Sequence, residues 1–326
     1  MMNRYRYPFR FYIFSALVPW SLWMIAAYLS HQATYEEYSF VIGSLSLAGL
    51  CGPLLVAIYY ICKDKILRGD VSRRIFNIRF GGMRYLFASA FLMPASILLA
   101  MSISLLFGYD IEQFSLTGKA TFSSAYFPVW FILVIAPVLE ELAWHSYGTD
   151  CLRQKFSLFT TSIIFALYWA LWHIPLAFIN GYYHSNLVLE GVLYSVNFLL
   201  SLFPFVILMN WLYYKSGRNI LVTVVLHLTA NVFNEVFATH PDSKVIQTGL
   251  LLVLTAYLLF TQRDFFFKKG HFAQTPRKTF NHAHQYDLNS DNGKQVYSQR
   301  FFQMFPGHTE TIYFKKESEG YSHETK

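Results

Sequence analysis

The chain has 326 residues and a formal net charge of +7, with 54% hydrophobic, 19% aromatic and only 14% charged residues. Soluble globular domains carry about 25% charged residues, so this composition excludes a water-soluble enzyme that hides its apolar surface in one core. The positive charge is spread over short connections rather than gathered on a polar domain, which excludes a nucleic-acid-binding module.

Eight apolar runs reach the length of about 20 residues that crosses the hydrocarbon layer. They fall at about 11–29, 39–62, 85–107, 126–147, 158–179, 187–213, 219–238 and 245–262. An all-α, polytopic eight-helix transmembrane bundle is therefore expected over residues 1–262, followed by a polar tail at 263–326. Arg4, Arg6 and Arg10 precede the first run, as in a signal peptide. The run is too long for a signal-peptide h-region and no small-x-small cleavage site follows it, so it reads as an anchor. The second run carries Gly52-Pro53 and leads into a segment, 63–84, rich in Lys and Arg with interspersed Ile, Leu, Phe and Met. That pattern suits an amphipathic stretch in the cytoplasmic headgroup layer, next to anionic lipid.

The basic residues alternate along the chain. They are dense before the first run, at 63–84, at Arg153 and Lys155, at Lys215 and Arg218, and at Arg263, Lys268 and Lys269. The intervening loops hold only Lys119 and Lys244. The positive-inside rule places both termini in the cytoplasm of a multi-pass plasma- or inner-membrane protein. Cys51, Cys62 and Cys151 have no metal-ligand spacing, and no internal repeat of the transporter kind is visible. The tail is polar and mixed in charge and reads as largely disordered. Its Phe265, Phe266, Phe267, Phe301, Phe302 and Phe305 are candidates to touch the membrane surface, and His282 and His284 read as solvated.

Ionisable side chains inside apolar runs are expensive and mark function. The fourth run holds Glu140-Glu141 with His145 beyond them, the fifth Trp169 and His173, and the seventh His227 and Asn231. Adjacent carboxylates point about 100° apart on a helix, so one cation cannot easily serve both as a structural partner. A buried carboxylate suits proton transfer near neutral pH. Pro175 frees the carbonyl of Leu171, a candidate partner for His173. His227 and Asn231 share a helix face and can hold a developing oxyanion, although the same pair also serves as interhelical glue in many bundles. At 1.5 Å per residue Glu140 and His227 fall roughly 10 Å from the cytoplasmic side, with His173 deeper.

These motifs, in this order and spacing over about 40–240, resemble the CAAX-processing and bacteriocin-processing (CPBP, or Abi) intramembrane protease family. The resemblance implies an intramembrane endopeptidase with a cavity open to the cytoplasmic leaflet. Glu140 would be the general base assisted by His173, His227 and Asn231 the oxyanion donors, and Glu141 the support, with Trp169 before His173. The substrate would be a peptide or protein, in some members C-terminally lipidated, met within membrane lipid. Glu140, His173 and His227 would be the candidate ligands of a zinc ion, though the same side chains suffice for metal-free catalysis. One departure stands out: the family's Arg after the glutamates is His145 here, followed by Ser146. Arg keeps its charge at any relevant pH and His does not. A catalytically degenerate member acting as a membrane scaffold or bacteriocin-immunity factor is therefore the alternative. A proton-coupled transporter ranks behind both.

Overall fold

A computed structural model of the chain describes residues 2–75, 80–118 and 120–269, together with short stretches between 297 and 321. It divides into two compact units, residues 1–271 and 272–326. The first is an all-α polytopic bundle. Its helices are α1 (Pro8–Ser30), α2 (Ser39–Cys62), α3 (Lys65–Ile75), α4 (Phe80–Ser104), α5 (Val129–Ala143), α6 (Thr149–Arg153), α7 (Leu158–His173), α8 (Tyr183–Glu190), α9 (Val192–Lys215), α10 (Ile220–Val236), α11 (Pro241–Thr261) and α12 (Arg263–Phe267). A π-helical turn, Trp144–Gly148, joins α5 to α6 without a break.

Among the described residues seven helical segments are long and apolar enough to cross a membrane, against the eight expected. The remaining candidate, α10, is apolar but has 17 residues. Its length of about 25 Å is less than the roughly 30 Å hydrocarbon layer. It packs between α4, α5 and α9, so protein rather than lipid surrounds much of it. Close approach of helices rests on small residues: α1 and α2 meet where a Cβ on Gly49 would lie 2.3 Å from Trp23 Nε1, and that indole donates to Ser46 O at 3.0 Å.

The helices run between two ends. The N-terminus, α3, α6, α12 and the α9–α10 turn share one end, and the 105–128 loop, α8 and the α10–α11 turn share the other. Among the described residues of the first unit, nearly all Lys and Arg sit at the first end. Cys62, the last residue of α2, is exposed there, while Cys51 is half-buried and Cys151 buried. In a variant keeping only Cys62, a membrane-impermeant maleimide is expected to label after permeabilisation and not in intact cells. Labelling of intact cells would reverse the cytoplasmic assignment of this end.

The segment read as a headgroup-layer helix is more deeply integrated. In α3, Leu67 and Val71 face the core as that reading requires, but Asp70 and Arg74 are buried too. Arg74 donates to Asp150 Oδ2 at 3.1 Å and to the carbonyls of His145 at 2.9 Å and Ser146 at 2.8 Å. Arg218 donates to Asp70 Oδ2 at 2.9 Å and also bonds Asp150. Tyr5 donates to Asp70 at 2.6 Å, and Tyr213 to His145 O at 2.8 Å. Burial opposes ionisation of Asp70, but Arg218 and Arg74 hold its carboxyl below the usual range. The chain also stays with the bundle past 262: Phe266 is buried in α12, which packs on α7. In the second unit the described residues pair as two antiparallel ladders, β1 (Tyr297–Arg300) with β2 (Thr311–Phe314) and β3 (Lys316–Glu317) with β4 (Gly320–Tyr321). His282, His284, Phe301, Phe302 and Phe305 lie outside the described residues.

Candidate active site

Glu140 stands roughly midway between Val129 and Arg153, one turn after Pro137 and just before the π turn. Such widened turns recur at functional sites because they re-aim side chains. Trp144 and His145, each four residues on, bond back to Glu140 and Glu141. Glu140 Oε2 accepts from Trp169 Nε1 at 2.9 Å and from Trp144 Nε1 at 3.3 Å. Its other oxygen takes no hydrogen bond among the described residues, and the side chain lines a cavity of about 360 Å³.

Glu141 turns the other way, is fully buried and does not line that cavity. Its Oε1 lies 2.9 Å from His227 Nδ1, and its Oε2 bonds His145 Nδ1. The divergence of adjacent helical residues thus gives each carboxylate its own partners. Hydrogen-bond directions follow from Ser162. Its hydroxyl donates to Leu158 O at 2.9 Å, so it accepts from Asn210 Nδ2, also at 2.9 Å. Asn210 Oδ1 therefore faces His145 Nε2, at 3.0 Å, and that nitrogen carries a proton. His145 Nδ1 then shares a proton with Glu141. His145 accordingly makes the tie to Glu141 for which an Arg would be suited. Asn210→Leu is expected to leave His145 Nε2–H unpaired and to lower activity by about tenfold. If its turnover matches wild type, the ordering role of Asn210 is wrong.

His173 closes α7. Its Nδ1 lies 2.6 Å from Trp169 O, so Nδ1–H donates and Nε2 keeps a lone pair. The expected partner, Leu171 O, is instead taken by the N–H of Ile174 as the chain tightens into a 3-10 turn at Pro175. Trp169 thus touches Glu140 through its indole and His173 through its carbonyl. The His227 ring stands perpendicular to the Trp169 indole, with centroids 5.2 Å apart. Asn231 lies one turn further along α10, half-buried on the cavity wall, with no side-chain hydrogen bond among the described residues.

Glu140, Trp169, His173, His227 and Asn231 all line this one cavity. It extends to Thr121, His184 and Pro241, in connections at the end opposite the N-terminus. The depth expected for His173 is explained as well: the site occupies the middle and far half of the bundle rather than the margin beside the basic loops. Among the described residues no three His, Cys, Asp or Glu side chains converge to hold a metal ion. Glu140 bonds two indoles through Oε2, His173 a carbonyl through Nδ1 and His227 the Glu141 carboxylate through Nδ1.

Two residues escaped the sequence reading. Asn210, fully buried, is an amide inside an apolar run and was open to the same argument as Asn231. His184 opens α8, and its ring centroid lies 5.0 Å from that of His173. Burial, reinforced by His173, holds His184 well below the ordinary histidine range.

The family model described as type II CAAX prenyl endopeptidase Rce1-like matches residues 122–233, which contain every side chain of this cavity wall assigned a chemical role above. A curated relative, CAAX prenyl protease 2 of Methanococcus maripaludis, is 35% identical over 272 residues, covering 82% of this chain and 99% of the relative.

Proposed function

This chain belongs to the CAAX prenyl protease family and is an intramembrane endopeptidase of its Rce1-like type, and we propose that it works by carboxylate-activated water on a peptide bearing a C-terminal lipid. The observation that carries the mechanism is the division of labour between the two glutamates: Glu140 faces the cavity and Glu141 does not. Glu140 takes a proton from water, and the His173 Nε2 lone pair holds that water in place. The water oxygen bonds to the scissile carbonyl carbon. Asn231 Nδ2–H and His227 line the wall where the oxyanion forms, and the Glu141 carboxylate behind His227 balances a proton on its ring. The C–N bond then breaks, and Glu140 returns its proton to the leaving amine. These steps use the chain's own side chains alone.

A prenylated substrate is supported by the relative's name and by the cavity's apolar walls, including Leu50, Ile97, Leu202 and Phe205. The concentration of basic residues at the terminal end of the first unit supports cytoplasmic termini. The reading is tested by comparing protein termini in cells producing wild type or Glu140→Ala. New peptide ends present only with wild type are expected. Identical sets of ends, with both proteins equally abundant in the membrane, would overturn the protease mechanism and leave a non-cleaving scaffold.

A further inference from the structure

Among the described residues that line the cavity, Lys244 is the single Lys or Arg. It lies in the first turn of α11 and is half-buried. Three carboxylates share the wall with it. Glu140 is the base, Glu235 is held on both oxygens by Thr121 and on one by Asn234, and Glu190 is exposed at the end of α8. The Lys244 ammonium pairs with no carboxylate among the described residues and stands 5.9 Å from the Tyr183 ring centroid. Asn197 of α9 also lines the cavity, and its amide takes no hydrogen bond among the described residues. α9 and α11 both run from the far end toward the terminal end, and Tyr194 donates to Asp242 Oδ1 at 3.1 Å. Asn197 and Lys244 follow those two residues within one turn, so they fall at about the same level.

We propose that Lys244, with Asn197 beside it, binds the C-terminal carboxylate of the substrate peptide and so selects substrates by their free end. Cleavage beside a lipid carried near the C-terminus leaves a short fragment that ends in a carboxylate. An apolar cavity rejects such a charge unless a partner meets it. An ammonium and an amide N–H are donors suited to its two oxygens. The reach agrees with a short fragment. Asn234 lies about 4.5 Å of helix rise beyond Asn231, and it donates to the Tyr183 hydroxyl at 3.2 Å. The ammonium stands over the ring of that tyrosine. It is thus on the order of 10 Å from the oxyanion wall at Asn231, and three extended residues span about 10 Å. A lysine that merely snorkels to headgroups would not distinguish a peptide acid from its amide.

This inference rests on the protease reading, and the experiment separates the two. In lipid nanodiscs, a farnesylated peptide ending in a CAAX sequence is compared with the same peptide carrying a C-terminal amide. Kd is measured in the Glu140→Gln background, and kcat/KM with Glu140 intact. The parent is expected to bind the acid about tenfold more tightly than the amide. Lys244→Gln is expected to bind the two equally, losing affinity for the acid alone, and Lys244→Arg to keep the preference. Asn197→Ala is expected to narrow it severalfold. Absence of cleavage with Glu140 intact, the acid still being preferred in binding, would strike the protease reading alone. Equal Kd values for acid and amide in the parent would overturn the inference, whatever is cleaved. So would a Lys244→Gln protein that keeps the preference because it binds both peptides equally less well.

Discussion

Glu140→Gln is expected to lower kcat by about three orders of magnitude while the protein inserts, folds and binds substrate as before. General-base catalysis contributes roughly 10²–10⁴ in rate, and the amide cannot take a proton from water. It is nearly isosteric, and its oxygen can still accept from Trp169 and Trp144, the two indoles on Glu140 Oε2. Glu141→Gln is the informative contrast. Glu141 sits between His227 and His145, so removing its charge disturbs both histidines and is expected to reduce stability as well as turnover. Single-turnover rates and melting temperatures of the two variants in nanodiscs check this. If Glu140→Gln retains more than a tenth of wild-type turnover, Glu140 is not the base.

Arg74→Met is expected to produce the largest loss of stability of any single change here, about 3–5 kcal/mol. That is the range for removing one member of a buried ionic network. Arg74 is 5% exposed, and its guanidinium serves Asp150, Tyr5 and the carbonyls of His145 and Ser146. Without it, Arg218 alone faces two buried carboxylates. Arg74→Lys should recover only part of the loss, because an ammonium lacks the planar fork. The two bonded carbonyls belong to the π turn, so activity should fall with stability. The network also carries an acid dependence. Asp70 is held below the usual range, so its contribution is complete above the unfolded carboxylate pKa of about 3.9 and is lost as the pH falls through its lower folded value. Thermal unfolding in detergent across pH tests both statements; an Arg74→Met protein as stable as wild type would show the network to be idle.

The spans, the alternation of basic loops and the chemistry-bearing side chains were legible in the sequence because each is a local departure from an apolar background. Glu140, His173, His227 and Asn231 announce themselves in this way, and the structure brings them to one cavity. Partnership was less legible because it is decided by contacts between distant segments. Arg74 looks like any other cation of the 63–84 stretch, and only Tyr5, Asp150 and Arg218, far away along the chain, show that it is interior. Glu141 and His145 stand at the i,i+4 spacing that lets them pair, so that contact was open to the sequence, whereas the second partner of Glu141, His227, lies on a distant helix. The extent of the cavity was also hidden. Charge counts report where loops lie, whereas the cavity depends on which halves of α4, α5, α7, α9 and α10 leave space between them.

The cluster at the terminal end also has a calendar. Tyr5 is among the first residues to leave the ribosome, while Arg218 follows more than two hundred residues later, roughly ten to forty seconds on at ordinary rates of synthesis. Asp70, Arg74, the two glutamates of α5 and Asp150 are all made before this last cation. Closure of the cluster by Arg218 is therefore a late event of biogenesis, after which the N-terminus, α3, α6 and α9 are held to one another.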